Sequence, residues 1–193
     1  IEGIDTSNPD VPDSAATYGG DDVDHNCGRL NYTRVEYAGF ELTTDNELNG
    51  ITLGGCGTAT TFDYVQVNNG LDDGIEIFGG QPQLRHIVLS GIEDDSLDWD
   101  EGFQGTIQFL LIKQYENDAD NGFEADNDKN ANDAMPRSNP TILNATLIGS
   151  SAGSHGMVLR RGTYVTLMNT IVTGFPKFGI DIRDEAGANG AIN

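Results

Sequence analysis

Apolar residues recur along this chain in two alternating kinds of short segment. One is a heptamer with a small residue in second place and apolar residues in third and fifth: NGITLGG (49–55), DGIEIFG (73–79), DSLDWDE (95–101), NGFEADN (121–127), HGMVLRR (155–161) and FGIDIRD (178–184). Successive heptamers start 24, 22, 26, 34 and 23 residues apart. The other kind is a period-two apolar run: LNYTRVEYAG (30–39), FDYVQVNNG (62–70), LRHIVLSG (84–91), TIQFLLIK (106–113), ILNATLIG (142–149) and VTLMNTIVTG (165–174). Alternation rich in Val, Ile, Thr, Tyr and Phe, punctuated by Gly and Asn, predicts strands, and no segment carries a long 3.6-residue apolar period with caps at both ends.

A unit of 22–34 residues holding at least two short strands cannot bury its apolar face alone, so neighbouring units must stack. The fold this predicts is all-β, a right-handed parallel β-helix of about six coils spanning 28–185, with an acidic lead-in over 1–27 and the start of a further coil or tail over 186–193. A leucine-rich repeat would need Leu and Asn spacings that are absent, and an immunoglobulin-like sandwich would not repeat one heptamer. Stacking turns sequence positions into columns about 4.8 Å apart. The third positions (Ile51, Ile75, Leu97, Phe123, Met157, Ile180) and the fifth (Leu53, Ile77, Trp99, Ala125, Leu159, Ile182) then point inward. Trp99 is expected in the core, where large Trp99 beside small Ala125 fills one layer. The 34-residue interval places an insertion at 129–139, and Asn144 and Asn169 are expected to form a short internal ladder.

Composition sharpens this. The chain has 193 residues, 37% of them hydrophobic, and 25 glycines, enough to bury a core. Ten Lys and Arg against 31 Asp and Glu, a net charge of −21, exclude nucleic acid and anionic lipid as electrostatic partners. No run of 18 apolar residues exists, so direct membrane insertion by a helix is not expected. Cys27 and Cys56, 29 positions apart, fit no CxxC metal or redox motif. They read as a disulfide and hence as an exported protein, extracellular or at the cell surface, with two buried free thiols as the alternative.

The set NYTRVEYAG, ELNGITLGG, TTFDYVQVNNGLDDGIEIFGG, DDSLDWDEGFQGTIQF, NGFEADND and VLRRGT with IVTGF, from about Gly19 to Asp184, resembles the large secreted or surface β-helix proteins of marine and environmental bacteria. The resemblance implies the fold and the compartment. It supplies no catalytic residues, because the activity of that family is poorly defined. It also implies further coils before Ile1, so that the chain reads as a fragment or a processed piece.

The heptamer's outward positions carry the candidate chemistry. Fourth positions are Thr52, Glu76, Asp98, Glu124, Val158 and Asp181, and sixth positions Gly54, Phe78, Asp100, Asp126, Arg160 and Arg183. Glu76, Asp98, Asp100, Glu124 and Asp126 therefore align on one face, inside a stretch from Asp72 to Asp128 with 15 acidic residues and only Arg85 and Lys113 as bases. Such a ladder calls for a cation, raised pKa values or full solvation. Calcium is the natural ion, since it takes several charged oxygen ligands and no His/Cys cluster suits zinc. Asp126, Asp128 and Asn130 match the start of a calcium loop, which then fails at Ala131 and Arg137.

Three readings stand: a solvated acidic face, structural or binding calcium, and catalysis. In the third, Arg160, Arg161 and Arg183 would bind a uronate carboxylate and an arginine or Lys113 would abstract a proton, while the plainer role of Arg160 and Arg183 is to neutralise Asp126 and Asp181. His25, His86 and His155 are scattered over different repeats. No GxSxG, phosphate loop or HExxH occurs. The function expected is a structural or binding module, for adhesion, matrix or filament building, with polysaccharide or another surface component as partner and self-association through exposed coil ends. The alternative is a calcium-dependent lyase or hydrolase acting on acidic polysaccharide.

Overall fold

Long and short strands alternate along the chain because each coil carries one period-two run and one heptamer. The computed structural model describes residues 17–43, 46–117 and 119–183, and among these residues there are fourteen strands and no helix. The long strands are β1 (Arg29–Glu36), β5 (Thr61–Asn68), β7 (Gln83–Ser90), β9 (Thr106–Lys113), β11 (Thr141–Ile148) and β13 (Thr166–Thr173). The short ones are β4 (Ile51–Gly54), β6 (Ile75–Phe78), β8 (Leu97–Asp100), β10 (Phe123–Ala125), β12 (Met157–Leu159) and β14 (Asp181–Ile182). Each set forms a six-stranded parallel sheet in chain order. A hairpin of β2 (Glu41–Thr43) and β3 (Asn46–Glu47) stands in the first coil. Six coils, every strand parallel to its counterpart in the next, make a right-handed parallel β-helix. The expected lead-in is described only from Thr17, and the expected tail at 186–193 lies outside the described residues.

Register follows the heptamers position for position. Ile51, Ile75, Leu97, Phe123 and Met157 are consecutive partners, as are Leu53, Ile77, Trp99, Ala125, Leu159 and Ile182. From the second coil to the fifth both columns are buried, whereas Ile180 and Ile182 in the last coil are exposed. Trp99 is fully buried, donates from Nε1 to Thr163 Oγ1 at 3.0 Å and meets Phe123 edge-on. The small second residue has a backbone cause. A Cβ on Gly50, Gly74, Gly122 or Gly156 would lie 2.3–2.5 Å from a carbonyl oxygen of the following coil.

Each long strand contains a bend that the alternation does not announce. Its fourth residue, Tyr32, Tyr64, His86, Phe109, Asn144 or Asn169, has φ between 50° and 61° and drops out of the register. A left-handed residue costs roughly 1–2 kcal/mol when it is not glycine. Here the side chains offset that by stacking outward, with ring centroids 4.9, 4.3 and 4.9 Å apart along Tyr32–Tyr64–His86–Phe109. Asn169 Nδ2 donates to Asn144 Oδ1 at 2.6 Å, so the asparagine ladder exists but lies on the outside of the bend. The reason is that a residue at positive φ cannot direct its side chain along the inward alternation of its neighbours.

Cys27 and Cys56 form a disulfide with Cα atoms 5.6 Å apart, joining the turn before β1 to the turn before β5. It closes a loop of separation 29. In the chain-entropy model that is worth about 3–4 kcal/mol. Replacing both cysteines by alanine should lower the unfolding free energy by about that amount in a denaturant titration. A change within error of zero would show that the first two coils are held in register without it.

Candidate cation-binding site

The residue that opens each heptamer builds a buried ladder. Asp95 N–H donates to Asp73 Oδ1 at 3.1 Å, Asn121 N–H to Asp95 Oδ1 at 2.8 Å, and His155 N–H to Asn121 Oδ1 at 3.2 Å. Each side chain thus satisfies an amide of the next coil, and Asp73, Asp95 and Asn121 are buried to do so. Sequence reasoning missed this ladder because it stopped at the strand positions. The signal was present in the series Asn49, Asp73, Asp95, Asn121, His155.

The acidic column beside it has the expected neighbours, Thr52, Glu76, Asp98, Glu124, Val158 and Asp181 in succession. It is not the open face that outward alternation implied. Glu76 is only 4% exposed, and the Asn49 amide donates to it. Tyr18 packs against Phe78 and donates its hydroxyl proton to Glu101, so the chain before β1 covers one end of the face.

The five predicted carboxylates do not converge on one point. Glu124 and Asp126 are taken by arginine: Arg160 donates to both, at 2.8 Å from Nε to Asp126 Oδ1, and Arg161 Nη1 lies 2.5 Å from Asp126 Oδ2. Asp100 accepts from the Glu101 amide at 2.6 Å, at the end of β8. Glu76 and Asp98 instead meet Asp73, with one carboxylate oxygen from each inside a 4.8 Å circle. At that separation and an effective dielectric of 20, each pair of charges repels by about 3.5 kcal/mol. Asp98 Oδ1 is sealed from solvent and accepts no hydrogen bond, the state of an oxygen that needs a proton or a cation. Two further triads, Asp72–Asp73–Asp94 and Asp94–Asp95–Asp120, continue the carboxylates along the turn.

The calcium-loop match does not survive. Asp128 Oδ1 accepts from the Asn130 and Ala131 amides, closing a turn, and Asp126 belongs to the arginines. The insertion at 129–139 is held by Asn127, which donates to the Asn132 and Ala134 carbonyls and accepts from Ser138 N–H. Arg183 pairs with Asp181 at 2.8 Å, the neutralising role. Lys113 ends β9 on the other sheet, in register with Ser90 and Ile148, and does not join Arg160 or Arg183.

Electrostatics follow burial. Asp73, Asp95 and Asp98 are pushed well above the usual carboxylate range by burial first and by their acidic neighbours second. Burial pushes Asp100 up to about 7 against the Glu101 amide, and Glu124 up to about 7 against the pull of Arg160. Burial works against the charge on Arg160, but Asp126 and Glu124 more than offset it and hold the guanidinium above its usual value, so it is a poor proton acceptor. His155 is pushed down by burial, with Asp181 opposing.

A carboxylate whose pKa is raised on folding stabilises the fold fully below its unfolded value, and that contribution is lost as pH rises through the folded value. In low salt with a chelator, the melting temperature should therefore fall from about pH 5 to about pH 8, through the window near 7 set by Asp100 and Glu124. His155 works the other way, its contribution being complete above its ordinary value and lost as pH falls. Thermal melts across this range check the balance, and a flat profile would contradict the buried acidic column.

A family model described as a pectate-lyase-like β-helix domain matches residues 4–193. No curated protein and no solved structure matches the chain. With the matched span covering nearly every residue and the coils stacked as described, the chain belongs to the pectate-lyase-like β-helix family.

Proposed function

We propose that this chain is an exported, non-catalytic β-helix module that binds or builds at a cell surface or in an extracellular matrix, and that Asp73, Glu76 and Asp98 hold a calcium ion that stabilises it. The observation that carries the proposal is the convergence of these three carboxylates, with Asp73 and Glu76 buried, around an Asp98 oxygen that is sealed from solvent and has no donor. Calcium accepts such a set of hard oxygens with flexible geometry, whereas magnesium demands a stricter octahedron and gives up water reluctantly. Export is supported by the disulfide, which persists in oxidising compartments.

The alternative, a calcium-dependent lyase or hydrolase of acidic polysaccharide, is favoured by the presence of arginines on the same sheet as the acidic triad. It is weakened because Arg160 and Arg161 are already committed to Glu124 and Asp126. Incubation with uronate polymers, watching for new unsaturated ends, separates the two. Enzymatic cleavage lost in Arg160→Ala would establish the alternative.

Calcium at one hundred times its dissociation constant should add about 2.7 kcal/mol of stability, and magnesium less. Asp98→Asn should abolish the calcium increment and raise the melting temperature in chelator at pH 8, because it removes a buried charge. Melts in which calcium adds nothing beyond its ionic strength would leave a merely acidic surface.

A further inference from the structure

We propose that the shallow groove crossing β1, β5 and β7 binds an anionic polysaccharide, one bearing carboxylate or sulfate groups, through Arg29 and Arg85. The groove encloses about 230 Å³ between Arg29, Asn31, Thr61, Asp63, Gln83 and Arg85. It lies on the long-strand sheet, away from the acidic triad on the short-strand sheet.

The argument starts from where the positive charge goes. In a chain with 31 acidic residues, five of the seven arginines (Arg34, Arg137, Arg160, Arg161 and Arg183) are ion-paired with carboxylates. Among the described residues, Arg29 and Arg85 are the two that make no such pair, and both line this groove. Arg29 Nε donates to Thr61 Oγ1 at 3.1 Å, which leaves its terminal nitrogens for a ligand. Arg85 is the register neighbour of Asp63, yet Asp63 gives its carboxylate to His86 Nδ1 at 2.7 Å, and Arg85 lies 6.0 Å over the Phe109 ring instead.

The surrounding surface departs from the charge of the whole. The outward first and third positions of the six long strands hold Arg29, Asp63 and Arg85 as their only charged residues, a net of +1 on a chain of −21. The rest are mainly Thr, Asn and Gln, whose hydroxyls and amides both donate and accept and so suit sugar hydroxyls. Arg29 and Arg85 are two strands apart, about 10 Å at the strand spacing. That separation suits anions carried at intervals along a sugar chain. Nucleic acid, with a charge every 1.7 Å or so, would be repelled by the remaining acidic surface more than two arginines could hold it.

The inference rests on the reading of the chain as a binding module, and calorimetry in chelator, which removes any cation bridging, tests it. The ligands are alginate oligosaccharide (carboxylate), dextran sulfate (sulfate), neutral dextran and single-stranded DNA. At least one anionic glycan should bind at low salt and dextran should not. Arg29→Gln and Arg85→Gln should each weaken binding about tenfold, the loss of one charge-assisted contact. Asp63→Asn, which removes the one acidic side chain of the groove, should tighten it. Binding unchanged in both arginine variants would overturn this site and leave the module reading intact. No binding to any glycan, with chelator or with calcium, would overturn the inference and leave the module reading to its own test with uronate polymers, and DNA binding as tightly as dextran sulfate would overturn the saccharide assignment.

Discussion

Every coil must land on the one before it with its backbone amides and carbonyls opposite their partners, and the remaining structure is a consequence of that registration. Gly74 N–H donates to Asp95 O, Gly122 N–H to His155 O and Gly156 N–H to Phe178 O, the same bond repeated up the helix. The contact is close at four of the six coils, where the second heptamer position is glycine and a Cβ would meet the carbonyl of the next coil. Once the backbone is registered, side chains lose their independence. Each column is a set of like positions at one strand spacing, and its chemistry is collective.

For apolar columns the outcome is one continuous buried core, with Trp99 over Ala125 as the clearest exchange of volume. For acidic columns it is electrostatic conflict. The structure relieves that conflict in two ways within one face. At the coil carrying Glu124 and Asp126, the following heptamer brings Arg160 and Arg161 and the charges cancel. In the two coils before it no base is supplied, and Asp73, Glu76 and Asp98 are left together, the first two buried and Asp98 half-buried. The boundary between cancelled and uncancelled charge is what separates a structural ion-pair network from a cation site. It also explains why Arg160 is unsuited to act as a base.

The fold was legible in the sequence because the heptamer states its own register: small second, apolar third and fifth, each with a physical role in stacking. Column membership was therefore right wherever the short strands pair, including Glu76, Asp98 and Glu124 as neighbours, while the register does not extend to Ile180, Asp126, Arg160 or Arg183. Exposure was not legible. Alternation tells which side of a strand a residue occupies, but not that Tyr18 and Asn49 would reach across to Phe78, Glu101 and Glu76. Nor does it show that Tyr64, His86 and Asn144 share a left-handed conformation, since they share a place and not a chemistry. The split of the five carboxylates depends on side-chain reach between coils 34 to 36 residues apart, which no local pattern encodes.

The account stands on one claim, that registration places Asp98 among like charges with one oxygen sealed from solvent and left unsatisfied. Site-resolved carbon NMR titration of its side-chain carboxyl, with chelator and then with calcium, measures this directly. The account predicts protonation well above the usual carboxylate range without the ion, and a return to ionised behaviour near neutral pH when calcium is added. Titration in the ordinary range near 4 under both conditions would contradict it.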